Sequence, residues 1–365
     1  MHQEPSGVWI MAYTAVDDAS AHFQTLLYTG NGSSQTMTND GNSDLQPDFL
    51  WIKQRSGTEN HYLGNSSIAN KFLNSDRTDT ESTNIAGKEL TYNSDGFAFA
   101  GSDSTWNGSS STYVAWQWKA NGGSRTTNAE DGNNPAGGYQ ANTTAGFSIV
   151  DYVGTGAAGT MAHGLGAAPD LIIIKNRDVA DAWAVYHSAN TAAPETDYLV
   201  LNETDATADD DAYWNDTAPT STVFTVNTAH NVNADGENYI AYCFRSVQGY
   251  SKFGVYTGNG DDDGAFIYTG FKPAWVLTKQ NGGNNYWHIH DNKRNPFNVV
   301  GKELKANVTF VEADPAGGEN NRDFVSNGFK FRDYDHNNHA YTYIYMAFAE
   351  QPFVTSGGVP CTGGG

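Results

Sequence analysis

The chain has 365 residues, of which 38% are hydrophobic and 13% aromatic, and its 41 acidic against 20 basic residues give a formal net charge of −21. A charge of this sign repels nucleic-acid phosphates and anionic lipids, so nucleic acid is excluded as an expected partner. No apolar run reaches the roughly 18 residues of a membrane span, and the first residues lack the pattern of a secretory leader. Neither membrane insertion nor a signal peptide is therefore predicted.

One pattern of residues occurs three times along the chain. A Gly-x-Gly element precedes a proline by 15 to 17 residues, and the proline opens a short apolar run that ends in a lysine. The first glycines are Gly30, Gly154 and Gly258, the prolines are Pro47, Pro169 and Pro273, and the lysines are Lys53, Lys175 and Lys279. An aromatic closing segment begins 60 to 64 residues after each lysine. Self-similarity at this period indicates arrayed structural units.

The first half of the chain divides into an arm, a unit and a linker. Residues 1–22 show little apolar alternation and are predicted to form an N-terminal arm. The first unit, residues 23–119, contains apolar runs at 49–52 and 113–118 that are bounded by turn residues and predict strands. Residues 120–145 hold almost no side chain that could fill a core, so a flexible Gly/Asn-rich linker is predicted there.

Two further units and a tail complete the chain. The second unit is residues 146–248, and Cys243 in its closing strand is interpreted as a small apolar core residue. The third unit, residues 249–353, follows without a linker, so these two units are predicted to pack rigidly end to end. Residues 354–365 are interpreted as a flexible Gly-rich tail. The other cysteine, Cys361, lies in this tail, and two cysteines exclude a disulfide-stapled scaffold.

Each unit spans about 100 residues with six to eight short strands, a pattern typical of antiparallel sandwiches and jelly rolls. We therefore predict an all-β protein of three tandem β-sandwich or jelly-roll-like repeats. The Gly-x-Gly elements resemble fragments of a dinucleotide-binding fingerprint. No helical pattern follows any of them, however, so β-turns are predicted instead.

Histidines in the aromatic strands are candidate metal ligands. His187, His288 and His290 lie in or beside such strands, and His288 and His290 alternate onto one face, as metal ligands on a strand can. When the repeats are superposed at their tryptophans, His187 corresponds to Asp291 and to Asn65. Three different side chains at one position argue against an essential ligand, so structural histidines are predicted.

Acidic clusters offer the oxygen ligands of a calcium site. Asp261, Asp262 and Asp263 are weak metal candidates, and the run 209–211 is similar, but the ligand spacing of an EF-hand is missing. Solvated acidic turns are the alternative interpretation. No nucleophile elbow, zinc-protease motif or Walker loop is found, so no catalytic residue and no cofactor are predicted. Paired glycosidase carboxylates carry no local signature, and a glycan depolymerase therefore stays an alternative.

Four aromatic residues at predicted strand ends are candidates for stacking on sugar rings or on a partner: Trp106, Tyr213, Trp214 and Tyr334. Aromatic faces beside Asn- and Asp-rich loops suit glycans. The alternative is that these side chains cap the sandwiches or lie in a subunit interface.

Several stretches of the chain resemble a known family. They include Met11-Ala-Tyr-Thr14, Leu27-Tyr-Thr-Gly-Asn-Gly32, Leu45-Gln-Pro-Asp-Phe-Leu-Trp-Ile-Lys53, Gly146-Phe-Ser-Ile-Val150, His163-Gly-Leu-Gly166, Tyr213-Trp-Asn215 and Gly249-Tyr-Ser-Lys-Phe-Gly254. The sequence is similar, from Met11 to Phe353, to a domain family of unknown function in virion proteins of tailed bacteriophages.

The resemblance implies a non-enzymatic virion structural protein, displayed on the particle surface as a tail fibre, a spike or a capsid decoration. The expected partners are further copies of the chain in a homotrimer, other virion proteins and a host surface glycan. The chain would be made in the host cytoplasm. A carbohydrate-binding adhesin module and a glycan depolymerase are the two alternatives.

Overall fold

The structure is a computed structural model that describes residues 13–68, 70–84, 86–314, 321–334 and 337–361. Its regular elements are almost all β-strands. The two α-helices found within these ranges are single turns, α1 (Asp211–Trp214) and α2 (His230–Asn233), and two 3-10 turns lie at Ala19–Ala21 and Pro194–Thr196. The predicted all-β class is therefore confirmed.

The strands are distributed over the three predicted units and the segment that joins the first two. The first unit contains β1 (Phe23–Thr29), β2 (Gln35–Met37), β3 (Phe49–Gln54), β4 (Tyr62–Asn65), β5 (Lys71–Leu73), β6 (Ser82–Thr83), β7 (Leu90–Tyr92), β8 (Phe97–Phe99) and β9 (Thr112–Trp118). The next two strands are β10 (Thr126–Asn128) and β11 (Gly137–Asn142). The second unit contains β12 (Phe147–Val153), β13 (Gly159–Ala162), β14 (Leu171–Asn176), β15 (Ala184–His187), β16 (Asp197–Val200), β17 (Ala208–Asp209), β18 (Val223–Val226) and β19 (Asn238–Phe244). The third contains β20 (Ser251–Thr257), β21 (Phe266–Tyr268), β22 (Phe271–Gln280), β23 (His288–Asp291), β24 (Leu304–Lys305), β25 (Arg322–Val325), β26 (Gly328–Phe331) and β27 (Thr342–Pro352).

Each unit holds one large and one small antiparallel sheet. The large sheets have the orders β1-β9-β3-β4-β5-β6, β10-β11-β12-β19-β14-β15-β16-β17 and β20-β27-β22-β23-β24. The small sheets are β2-β8-β7, β13-β18 and β21-β26-β25. In every large sheet the closing strand of the unit lies between its first strand and its central strand. The register recurs as well, because a tyrosine of the first strand stacks on a tyrosine of the closing strand with ring centroids 5.1 Å apart in all three units.

The closing strands are buried on both faces. In β9, Tyr113 and Ala115 pack towards the small sheet of the first unit, whereas Trp116 and Trp118 belong to a core that includes residues of all three units. Side chains of a strand alternate between its two faces, so a strand that is apolar at almost every position is covered on both sides. The large sheets are therefore middle layers between the small sheets and a shared centre.

Three aromatic rings meet at this centre, one from each unit. Trp118, Phe244 and Phe348 each lie five residues after the first tyrosine of a closing strand. Their ring centroids are 6.2 Å apart for Trp118 and Phe244, 6.0 Å for Phe244 and Phe348, and 5.6 Å for Trp118 and Phe348. The units thus pack around a common core, which differs from the predicted end-to-end contact of the second and third units.

The predicted flexible linker forms a hairpin instead. Strand β10 pairs with β11, and β11 pairs with β12 from Gly137 opposite Tyr152 to Asn142 opposite Phe147. A Cβ atom on Gly137 would lie 2.1 Å from the carbonyl oxygen of Asp151, so the close approach of the strands requires glycine. The glycines that led to the prediction of a linker instead allow the strands to pair closely.

The described part of the arm contacts both the tail and the second unit. Asp17 accepts a hydrogen bond from the backbone N–H of Ser356 at 2.6 Å, and the hydroxyl of Thr14 donates to the carbonyl of Gln248 at 3.0 Å. The remaining parts of these two predictions, residues 1–12 and 362–365, lie outside the described residues. Within the described chain, neither helix has the length or the apolar character that crossing a membrane requires.

Candidate functional site

The repeated lysines, Lys53, Lys175 and Lys279, are buried at the ends of the central strands. In each case Nζ donates to the carbonyl of the next residue at 2.6 to 2.8 Å and to the carbonyl four residues on at 3.2 to 3.3 Å. Burial lowers the pKa of each ammonium group to about 8. These lysines close the turn after the central strand, so the repeated lysine has a structural role.

The three Gly-x-Gly elements are turns, as predicted. Each turn is held by the carboxamide of a buried asparagine, which accepts from the N–H between the two glycines at 2.9 to 3.3 Å and donates to the carbonyl after the second glycine. These asparagines are Asn107, Asn233 and Asn338. The second glycine has a φ of +66° to +70° in every case, a conformation that favours glycine.

The position that sequence superposition assigns to Asn65, His187 and Asp291 is a contact between units. The carboxamide of Asn65 donates to the hydroxyl of Tyr242 in the second unit at 2.9 Å. Nε2 of His187 donates to the carbonyl of Tyr345 in the third unit at 3.2 Å, and Asp291 accepts from the indole N–H of a first-unit tryptophan at 3.1 Å. The three side chains differ because their partners differ, and each joins its unit to the next.

A second set of contacts runs around the centre in the opposite direction. The indole N–H of Trp183 donates to the carbonyl of Asn74 in the first unit at 2.9 Å, and that of Trp287 donates to the carbonyl of Val200 in the second unit at 3.0 Å. In the first unit His61 takes the place of the tryptophan, and its Nε2 donates to a carbonyl of the third unit at 2.9 Å. Burial lowers the pKa of His61 to about 3, so the ring is neutral.

Ion pairs reinforce two of the three junctions. Arg55 of the first unit binds both carboxylate oxygens of Glu312 in the third unit at 2.8 Å. Arg177 of the second unit binds Glu81 of the first unit at 2.6 Å. All four side chains are less than one fifth exposed, so these pairs are shielded from solvent. Buried charges and histidines at the junctions are therefore engaged in holding the units together.

Three of the four predicted glycan-contact aromatics lie in cores, which corrects that prediction. Trp106 packs among Tyr62, Phe72 and Phe99. Tyr213 and Trp214 belong to the core of the second unit, where Tyr213 stacks on a neighbouring tyrosine at a centroid distance of 3.7 Å and the indole N–H of Trp214 donates to a backbone carbonyl. A residue at the end of a strand can still face the opposite sheet, and local sequence does not show this.

Tyr334, the fourth predicted contact, is 57% exposed. The weak metal candidates are also at the surface, in the turn that follows the last Gly-x-Gly element. There Asp263 pairs with Lys330 at 2.8 Å, and Asp261 accepts the N–H of Asp263 at 2.8 Å. Across the described residues, no group of three His, Cys, Asp or Glu side chains is arranged to hold a metal ion.

The two histidines of β23 form part of a buried charged cluster. Nδ1 of His288 donates to Glu303 at 2.7 Å, and His290 lies 3.9 Å from the same carboxylate. Burial opposes ionisation of Glu303, but His288 and its other basic neighbours hold its pKa well below the usual range. Arg322 stacks over Phe331 at 4.9 Å, and its guanidinium nitrogens have no hydrogen-bond partner among the described residues. These groups lie inside the third unit.

A cleft of about 250 Å³ lies where the third unit meets the first. One wall is the start of the first unit, including Thr25 and Asn42, and the other is formed by Ala274, Asn292 and neighbouring residues of the third unit. Ten of the fourteen lining residues have polar side chains. The cleft is the candidate functional site because its polar groups, unlike those of the junction contacts, are not all paired within the protein.

One departure in the repeated sequence lies in the lining of the cleft. Asp48 and Asp170, which follow the prolines of the first two units, accept backbone N–H groups at the end of the closing strand at 2.6 to 3.0 Å. They also accept the hydroxyls of Ser66 and Ser188. In the third unit the residue after the proline is Ala274, so no carboxylate fills the space. The Pro-Asp, Pro-Asp, Pro-Ala series is the sequence signal that could have located the cleft.

Comparison with known proteins gives a family but no function. No curated protein and no solved structure matches the chain. One family model matches residues 18–352, which include the junctions, the cleft and all three units except the last residue of the third. The chain belongs to the family described as Domain of unknown function (DUF7483).

Proposed function

We propose that the chain is a non-enzymatic structural protein of a bacteriophage particle, displayed on the surface as a tail fibre, a spike or a capsid decoration. The virion context comes from the sequence resemblance described above. The observation that carries the structural role is the closed set of buried contacts that joins each unit to the other two. Such a body is rigid and presents its loops outwards.

The use of reactive residue types supports this role. His61, His187 and Asp291 are types that serve catalysis elsewhere, but each of them is buried and bonded to a different unit. A group that is committed to a fixed structural partner stabilises the assembly of the units. These three residues therefore favour a structural function over chemistry at the junctions.

The third unit is the proposed attachment side. Of the twelve exposed large hydrophobic side chains in the described parts of the chain, nine belong to residues 249–353 and none to residues 23–119. They include Phe266, Tyr268, Phe297 and Phe310, which are 48 to 71% exposed. Apolar surface concentrated in one unit favours an interaction surface there. We propose that this side contacts other virion proteins and that the opposite side faces the host.

The virion role is tested on particles of the phage that encodes the chain, purified by density gradient. We expect mass spectrometry to detect the chain in the particle band, and an antibody raised against the recombinant protein to label intact particles. A host cytoplasmic protein serves as the control for contamination. Detection of the chain only in the soluble lysate would refute the proposal, and labelling of disrupted particles alone would refute surface display.

The homotrimer is part of the same proposal. The inner faces of the three units are already covered within one chain, so association would use outer surfaces and the apolar side of the third unit. Light scattering on the purified protein measures the mass directly. A species of three chains supports the trimer, and a single chain at all concentrations excludes it.

A further inference from the structure

We infer that the cleft between the third and first units binds a small, neutral, hydroxyl-bearing ligand of the sugar class. Pockets for drug-sized ligands run from about 300 to 1,000 Å³, and this cleft, at about 250 Å³, takes something smaller. One sugar ring, or two at the open mouth, matches that volume. Such a ligand would extend the proposed surface role, and its biological meaning rests on the proposed function.

The charges around the cleft favour a neutral ligand. Three carboxylates and one ammonium group line it, so an anion is repelled. The carboxylates are already compensated: Asp18 accepts three hydrogen bonds from serine N–H and hydroxyl groups, Asp40 pairs with Lys293 at 2.9 Å, and Glu350 pairs with Lys272 at 2.8 Å. A cation therefore gains little there.

The unsatisfied polar groups favour hydroxyl recognition. Thr25 is only 4% exposed, lines the cleft, and its hydroxyl has no hydrogen-bond partner among the described residues. A buried polar group without a partner is costly, so a ligand that pairs with it gains affinity. The carboxamides of the exposed Asn42 and the half-buried Asn292 also line the cleft and are accessible to a ligand. Hydroxyls and carboxamides both donate and accept, which matches the hydroxyls of a sugar.

The corresponding space at another junction shows what fills it inside the protein. Between the first and second units, Nε2 of Gln140 donates to the hydroxyls of Ser66 and Ser67 at 2.8 and 2.7 Å. Its Oε1 accepts the N–H of Gly123 at 3.0 Å. A group that both donates and accepts thus occupies the filled position. At the open position the described residues leave the space empty, and a ligand with the same mixed character fits there.

The experiment is saturation-transfer NMR on the full chain with the methyl glycosides of glucose, galactose and N-acetylglucosamine. We expect at least one glycoside to bind with a Kd on the order of 1 mM. Ala274→Asp restores the carboxylate of the other two units and should abolish the signal. Thr25→Val removes one hydroxyl at constant shape and should weaken binding about fivefold. Thr127→Val, at an exposed position of β10 outside the cleft lining, is the matched control and should bind like the unmodified chain.

Two results would overturn the cleft site. One is the absence of transfer to all three glycosides, and the other is unchanged binding in both cleft variants, which would place the ligand elsewhere. Thermal unfolding checks each variant, and if Ala274→Asp fails to fold, Thr25→Val still decides the matter. The outcome is separate from the virion test: particles that contain a chain without glycoside binding refute the cleft alone, and binding by a chain that is absent from particles refutes the virion role alone.

Discussion

The junction between the first and second units and the junction between the third and first units are built from corresponding residues, yet one is filled and the other open. At the filled junction Asp48 accepts hydrogen bonds from a serine hydroxyl and from two backbone N–H groups. The carboxamide of Gln140 donates to the same serine hydroxyl. At the open junction Ala274 and Asn292 stand in the places of Asp48 and Ser66. The open junction therefore lacks both the carboxylate of Asp48 and a counterpart of the Gln140 carboxamide.

The largest effect is expected from breaking the filled junction with Asp48→Ala. Asp48 is fully buried and accepts the N–H groups of Ala120 and Gly122 and the hydroxyl of Ser66. Their loss leaves one buried and two partly buried donors without their partner, so we expect the free energy of unfolding to fall by about 3 kcal/mol. Urea denaturation measures this. The matched variant is Asp170→Ala, which removes fewer contacts and should cost less. A change under about 1 kcal/mol for Asp48→Ala would contradict the role of this carboxylate.

The repeated sequence departs from its pattern a second time in the first unit, next to the contact of this unit with the third. Asn202 and Asn307 accept the backbone N–H of Trp183 and Trp287, and the corresponding residue of the first unit is Asp76. Burial raises the pKa of Asp76 from its ordinary value of 3.8 to about 6. A raised pKa means that the group's contribution to stability is complete below pH 3.8 and is lost as the pH rises through 6.

At pH 7 the ionised, buried Asp76 is therefore a cost, and Asp76→Asn should increase the free energy of unfolding by about 2 kcal/mol. The variant should also lose the part of the pH dependence between pH 4 and pH 6 that this group causes. Urea midpoints measured across that range test both effects. Conversely, a variant that is less stable at pH 7, or that keeps the full slope, would show that the attraction between Asp76 and Lys53 outweighs burial.

Filling the open junction should have a smaller effect on stability. In Ala274→Asp the new carboxylate lies near Asp18, Asp40 and Glu350, and the cleft remains hydrated. We expect a loss of about 1 kcal/mol or less in thermal unfolding. A gain of several kcal/mol would mean that the closing strand has a free N–H at this junction after all, and that the two junctions differ less than the contacts indicate.

The smallest effect is expected for the ion pair at the mouth of the cleft. Asp40 is 59% exposed and Lys293 is 41% exposed, so solvent screens their attraction. Lys293→Met should change the free energy of unfolding by less than about 0.5 kcal/mol. The free energy of unfolding of the unmodified chain, measured at increasing salt concentration, should change as little. A loss above about 1 kcal/mol in Lys293→Met would mean that this ion pair holds the junction together.

Local pattern predicted much of the fold and little of the cleft. The all-β class and the Gly-x-Gly turns follow from alternation and turn residues, which act over a few positions. The burial of Trp106 and Tyr213 depends on the opposing sheet, and the hairpin at 120–145 depends on a strand that glycine can approach closely. The near-continuous apolar run at 113–118 is the local signal of a strand covered on both faces, although only a strand was predicted from it. The residues that cover its second face belong to the other units, so local sequence does not identify them.

The shared centre has a consequence for the folding of the protein during synthesis and for its unfolding. Phe23, near the start of the first unit, stacks at 5.1 Å on Phe348 in the last strand. During synthesis the inner aromatic face of the first unit therefore stays uncovered until almost the whole chain has left the ribosome. We expect a single calorimetric transition for the intact protein, and an aggregating product when synthesis is stopped before β27.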